Sequence, residues 1–153
     1  MAYSASDAFC AQTDVEGLIG RGTFTSTTKP TAQQCLDWMA RVAAEVESKL
    51  AENGVNYTVQ THGAPFPATP TDAKTFRLKI LAESANAKGA AALVLDIHDV
   101  KDEYGQVPAA IALRKEYLGL LDTIVLTAES STLSAVFNST DTTNLRFLSD
   151  TQF

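Results

Sequence analysis

The stretch that decides the fold is TDVEGLIGRGTFTSTTKPTAQQCLDWMARVAAEVESKLAENG, residues 13–54. Thr31 can cap the N-terminus of a helix, with Gln34 as its capping-box partner, and Asn53-Gly54 can end that helix. Between these ends the apolar side chains recur at intervals of four, three, four and four residues, at Cys35, Met39, Val42, Val46 and Leu50. This spacing predicts one long amphipathic helix that packs through a single stripe.

A short helix and a threonine-rich bridge are expected before the long helix. The short helix opens at Thr13-Asp14-Val15-Glu16, where acidic side chains favour a helix N-terminus, and closes at Gly20-Arg21-Gly22. The bridge then runs from residue 22 to residue 30. Trp38 lies beside the apolar stripe of the long helix, where a tryptophan usually anchors a core; an exposed interface role is the alternative.

Composition places the chain among globular proteins of one domain. Its 153 residues are 45% hydrophobic and 20% charged, so a sizeable core is expected and wholesale disorder is not. The net charge of −6 provides no basic face for phosphates, so a sequence-specific nucleic acid is not an expected partner. The N-terminus lacks the pattern of a secretion signal and no run is long enough to span a membrane, so we expect a protein made in the cytoplasm.

Two further helices are predicted beyond a short strand and a loop. Residues 55–59 alternate like a strand, and the proline-rich residues 62–70 are incompatible with regular structure. Thr71 and Asp72 can cap a second long helix that reaches Ile97; its alanine-rich middle suits close contact with a neighbouring helix, or alternatively with another subunit. Pro108 suits the first turn of a third helix that ends near Leu121.

The last part of the chain is expected to differ from the first. Residues 1–122 are assigned to a helical domain and residues 123–153 to an extended arm rich in serine and threonine. Within this arm three short apolar runs favour strands, at residues 123–127, 135–137 and 145–148. The arm can add to another subunit's sheet edge, or fold back as a local hairpin. The expected fold class is mainly α, a bundle of three to four helices with a partly β C-terminal arm.

The sequence contains no convincing catalytic or metal-binding pattern. Asp96 and Asp99 would share a helix face from which His98 points away, which favours a solvated helix end over a metal site. His62 has no nucleophile motif around it, and the glycines of residues 17–22 do not form a phosphate loop. Cys10 and Cys35 are interpreted as reduced thiols, with a disulfide as the alternative. We therefore expect no enzyme, no cofactor and no metal.

With these motifs in place, residues 3–59 resemble the small head–tail connector, or adaptor, proteins of long-tailed bacteriophages. The features that carry the resemblance are Tyr3-Ser4, residues 13–18, the bridge from Phe24-Thr25 to Lys29-Pro30-Thr31, and the helix segment of residues 42–50 that leads into Asn53-Gly54-Val55. Beyond residue 59 the likeness is architectural only. The loop of residues 60–70 and the long arm depart from the shorter members of that family.

The resemblance implies a structural virion protein of the phage neck, assembled in the host cytoplasm. Its expected partners are further copies of itself in a twelve-fold ring, the portal protein and a tail-side neck or tail terminator protein, with DNA passing through the lumen. A monomeric or dimeric helical binding module is the alternative from a different class. The side chains expected to contact partners are Phe24, Lys29, His62, Phe66, Ile124, Val125, Leu126, Val136, Phe137, Phe147 and Phe153.

Overall fold

The fold is a bundle of helices around a central one. The computed structural model describes residues 2–20, 22–98 and 107–139, with side chains described as far as residue 129. Within these residues there are four α-helices: α1 (Gln12–Ile19), α2 (Ala32–Glu52), α3 (Ala73–His98) and α4 (Pro108–Ser139). Helix α3 packs against each of the other three, most extensively against α4. The prediction of a mainly helical bundle is confirmed.

Helix α2 has the ends that its sequence predicts. The Thr31 hydroxyl accepts a hydrogen bond from the Gln34 amide at 3.2 Å, and the Gln34 side-chain oxygen accepts one from the Thr31 amide at 3.0 Å. At the other end Gly54 has φ +73°, which only glycine adopts without strain. All five residues of the predicted stripe are buried.

Helix α3 begins and ends close to the predicted positions. The Asp72 carboxylate accepts a hydrogen bond from the Thr75 amide at 2.7 Å, and this bond keeps the pKa of Asp72 below its usual value. The alanine-rich middle of α3 lies against α2 and α4, so the prediction of a helix contact within the domain is confirmed. A Cβ added to Gly89 would stand only 2.6 Å from Cγ1 of Val42.

The C-terminal strand predictions are wrong where the structure describes the chain. Helix α4 does not end near Leu121 but continues through residues 123–127 and 135–137 to Ser139. Ile124 and Ala128 lie four residues apart and are both buried, so the helix gains burial that outweighs the strand preference of its β-branched residues. The expected boundary at residue 122 falls inside α4. The third run, residues 145–148, lies outside the described residues.

The predicted strand at residues 55–59 is also absent. This segment is extended but has no partner, since the described residues contain no strand. It is held instead by single hydrogen bonds: the Val59 amide donates to Oε1 of Glu47 at 2.5 Å, and the Thr58 amide donates to the Ala64 carbonyl at 2.8 Å. Val55 and Val59 are buried, which ties the segment to the core.

A buried amide connects the N-terminal segment to the bundle. Asn86 of α3 is completely buried. Its Oδ1 accepts hydrogen bonds from the amides of Phe9 (2.8 Å) and Cys10 (3.3 Å), and its Nδ2 donates to the Met39 carbonyl at 2.8 Å. One side chain therefore joins the segment before α1, helix α2 and helix α3.

Candidate interaction surface

The bridge between α1 and α2 is held by hydrogen bonds of its own and to α1, and it exposes only one of its two candidate contact residues. Phe24 is buried in the core, which corrects its expected role as an exposed contact. The Glu16 carboxylate, itself buried, accepts hydrogen bonds from the Phe24 amide at 2.7 Å and from Nε2 of Gln12 at 2.6 Å. Lys29 is exposed and remains available to a partner.

Glu16 was missed by sequence reasoning. Its position in the first helix suggested only a favourable charge near the helix N-terminus, whereas its function is to hold the backbone of the bridge. A buried carboxylate is retained when hydrogen bonds replace the water that it loses. The contact spans eight residues and depends on how the bridge folds back, so no local pattern signals it.

The proline-rich loop is attached to the bundle at both of the candidate residues that it contains. Nδ1 of His62 lies 2.8 Å from Oε2 of Glu47, the same carboxylate that accepts from the Val59 amide. The Phe66 ring is half-buried and stacks on Tyr57, with centroids 4.4 Å apart, and it meets the edge of Phe9 at 6.0 Å. His62 is exposed, whereas much of the surface of Phe66 is buried against other residues of the chain.

A lysine on helix α3 also holds the proline-rich loop by hydrogen bonds. Nζ of Lys79, on α3, donates to the carbonyls of Pro67 (3.2 Å) and Ala68 (2.9 Å). These bonds satisfy backbone acceptors in a segment that forms no helix or strand. The loop is therefore a fixed part of the surface.

The partner-contact candidates of the expected arm differ in burial, because those that the structure describes lie on helix α4. Ile124 is completely buried, so it belongs to the core and not to an exposed contact surface. Val125 is half-buried, and Leu126 is 67% exposed. Val136 and Phe137 lie in the last part of α4, and Phe147 and Phe153 lie outside the described residues.

An exposed apolar surface that the sequence did not predict lies on helices α1 and α3. Phe76 and Ile80 on α3 are 51% and 44% exposed, and Leu18 on α1 is 41% exposed. Leu18 also lines a groove of about 390 Å³ between α1 and α3, together with Asp14, Glu83 and Ala87. Large apolar side chains that are exposed beside a groove are a feature of protein contact sites. We call these residues and the groove the α1–α3 surface.

The α1–α3 surface has an acidic rim. Glu83 makes no hydrogen bond or ion pair with any other residue that the structure describes. Partial burial raises its pKa; the charge of Lys79 opposes this rise in part, and the neighbouring Asp14 carboxylate adds a smaller effect that raises the pKa. Two carboxylates on an apolar groove favour a partner that carries positive charge between apolar side chains.

The cysteines, Asp96, His98 and Trp38 are buried or contact other residues of the chain. Cys10 and Cys35 are free, buried thiols, and burial raises the pKa of each to about 12, so both stay protonated at neutral pH. Asp96 pairs with Arg114 at 3.1 Å, and the His98 ring lies 5.6 Å from the Trp38 ring. Trp38 is half-buried and packs against the core, as predicted.

Among the side chains that the structure describes, no three His, Cys, Asp or Glu residues are grouped so that they could hold a metal ion. None of the helices in the described part of the chain combines the length and the apolar character needed to cross a membrane.

The chain matches no protein family, no curated protein and no solved structure.

Proposed function

We propose that this chain is a ring-forming head–tail connector of a bacteriophage neck. In this role it would dock on the portal protein, offer an attachment surface to the tail, and let DNA pass through the lumen of the ring. The observation that carries the proposal is the N-terminal third, where the connector-like motifs coincide with a closed bridge and a doubly capped α2.

The chemistry of the surface supports a structural role. The candidate contacts that remain exposed are scattered around the bundle: Lys29 in the bridge, His62 in the loop and Leu126 on α4. A subunit in a ring must contact neighbours on two sides and a further protein at each end, so contacts on several faces suit it. The net charge of −6 suits a channel that should not hold the phosphates of DNA.

The mass of the purified chain in solution tests this proposal. Light scattering behind a sizing column would be applied to the chain alone and then to its mixture with the portal protein of the same phage. We expect either a ring of about twelve times the 16.4 kDa monomer mass, or a monomer that joins the portal in a fixed multiple. A monomer that ignores the portal would favour the alternative, a helical binding module that does not form rings.

A further inference from the structure

The shape of the α1–α3 surface fits a short extended segment. Phe76, Ile80 and Ser84 recur every four residues along α3, so they share one face, and Ser84 lies in the groove beside Leu18. The face that carries Phe76 and Ile80 therefore leads through Ser84 to the groove, where Leu18 and Ala87 supply the apolar side chains. A ligand for this surface must present apolar side chains over more than one turn of helix.

The charges around the groove define the ligand further. Asp14 and Glu83 line the groove together with Lys88, whose amine pairs with Glu116 at 2.5 Å. Lys79, whose charge acts on Glu83, donates its hydrogen bonds to the proline-rich loop. A cation that entered between the two carboxylates would relieve their repulsion. The ligand thus needs a basic side chain flanked by apolar ones.

This chain contains one segment of that chemistry outside the described residues. Arg146 is the only lysine or arginine after Lys115, and it is flanked by Leu145, Phe147 and Leu148. We propose that residues 145–148 of a second copy of this chain dock on the α1–α3 surface, with Arg146 between Asp14 and Glu83. This inference rests on the proposed ring, in which copies stand side by side.

The length of the chain favours a second copy as the source. Helices α3 and α4 run antiparallel, since Lys88 pairs with Glu116 and Lys74 bonds to the Ala128 carbonyl. Tyr117 packs against Gly89, and from there α4 rises about 33 Å to Ser139, whereas Glu83 lies only about 9 Å from Gly89 along α3 in the same direction. Ser139 therefore lies about 24 Å past the level of Glu83.

The same chain has too little length left to return. The seven residues from Ser139 to Arg146 span at most about 25 Å when fully extended. They would have to reverse direction at once and also cross the width of α3, about 10 Å with its side chains. A neighbouring copy can present the segment without this reversal.

Binding of a labelled peptide tests the site. The probe is a fluorescent peptide of residues 140–153, titrated by anisotropy into the full-length Arg146→Glu chain, whose own segment should leave the surface open. We expect saturable binding that weakens roughly tenfold when Glu83→Arg is added. Asp122→Arg is the matched control, because this exposed carboxylate lies on α4, and we expect it to leave the affinity unchanged.

A charge exchange separates a specific contact from a folding defect. A peptide with Arg146→Glu should bind the Glu83→Arg chain more tightly than the wild-type peptide does. Glu83→Gln, which keeps the shape of the side chain, should give an intermediate affinity. Equal affinity for the Glu83→Arg and Asp122→Arg chains, or no binding at all, would overturn the inference.

Cross-linking tests the source of the segment. Leu18→Cys would be placed in one full-length chain and Phe147→Cys in another that carries a different tag, and the two chains would be mixed and oxidised. The native cysteines should not interfere, because both are buried. We expect a disulfide between the two tags. A bond that forms only within a chain carrying both substitutions would refute the second copy. The peptide assay needs neither the ring nor the portal. A wild-type chain that assembles, together with a peptide that does not bind, would refute this inference alone. A peptide that binds to a chain that forms no ring and ignores the portal would refute the proposed function.

Discussion

At the scale of single residues, buried polar groups connect parts of the chain that are distant in sequence. Asn86 meets backbone groups of Phe9, Cys10 and Met39, and Glu16 meets the backbone of Phe24. Each of these groups has lost its water and depends on the partner for its hydrogen bonds. Such residues specify one arrangement of the segments, because any other arrangement would leave the same groups unpaired.

Replacing Asn86 by alanine tests this view. We expect a loss of about 2–3 kcal/mol in the free energy of unfolding, because the amides of Phe9 and Cys10 would stay buried without an acceptor. Urea denaturation would measure the loss as a lower midpoint. Asn56→Ala, at an exposed asparagine, is the control and should change stability by less than about 0.5 kcal/mol. Similar midpoints for the two variants would contradict a connecting role of Asn86.

At the scale of elements, the bundle depends on close contact between α3 and its neighbours. Gly89 faces Val42 of α2 and Tyr117 of α4, whose hydroxyl donates to Glu45 of α2 at 2.6 Å. Burial raises the pKa of Tyr117, and the hydrogen bond to Glu45 adds to this effect. The three helices therefore meet at one level, where a small residue lets the backbones approach.

Replacing Gly89 by alanine should disturb this contact. The new Cβ would stand 2.6 Å from Cγ1 of Val42, a rigid and buried side chain, so we expect destabilisation by about 1–3 kcal/mol. Gly119→Ala is the matched control: it also lies inside a helix, but its Cβ would meet nothing within 4 Å, and we expect it to stabilise by about 0.5–1 kcal/mol. Urea denaturation would compare the two.

A second substitution can confirm the cause. Val42→Ala removes the methyl groups that the new Cβ would strike, so Gly89→Ala should cost less in that background than in the wild type. Equal costs in both backgrounds would mean that the contact with Val42 is not the reason for the loss.

At the scale of the whole molecule, the core extends past the boundary that composition suggested. Ile124 and Ala128 belong to the same buried cluster as Val46, Leu50 and Leu78, although they follow residue 122. The bundle is therefore completed by a part of α4 that was expected to be an arm. An arm that takes no part in this core must therefore begin after Ala128.

Two truncations test where the core ends. A chain that stops after Ser139 should keep the thermal melt of the bundle but lose assembly, because residues 145–148 are gone. A chain that stops after Leu121 should lose stability as well, since burial of Ile124 alone contributes about 1.5–3 kcal/mol. Circular dichroism would follow the melts, and light scattering the masses. An unchanged melt after the shorter truncation would contradict a core that crosses residue 122.

The sequence by itself determined the helices that have local signals. The start and end of α2, its buried stripe, the start of α3 and Pro108 at the start of α4 all follow from caps, spacing and backbone preference, which act within a few residues. The alanine-rich middle of α3 similarly indicated close helix contact. These features need no knowledge of the rest of the chain.

Only the tertiary structure decided which surfaces are buried and which are free. Residues 123–127 have strand preferences but become helical because Ile124 and Ala128 complete a core contributed by other helices. Phe24 enters the core because Glu16 holds the bridge, while Phe76, Ile80 and Leu18 stay exposed because nothing in the described chain covers them. Burial is a property of the partners that a side chain meets, and those partners lie far away in sequence.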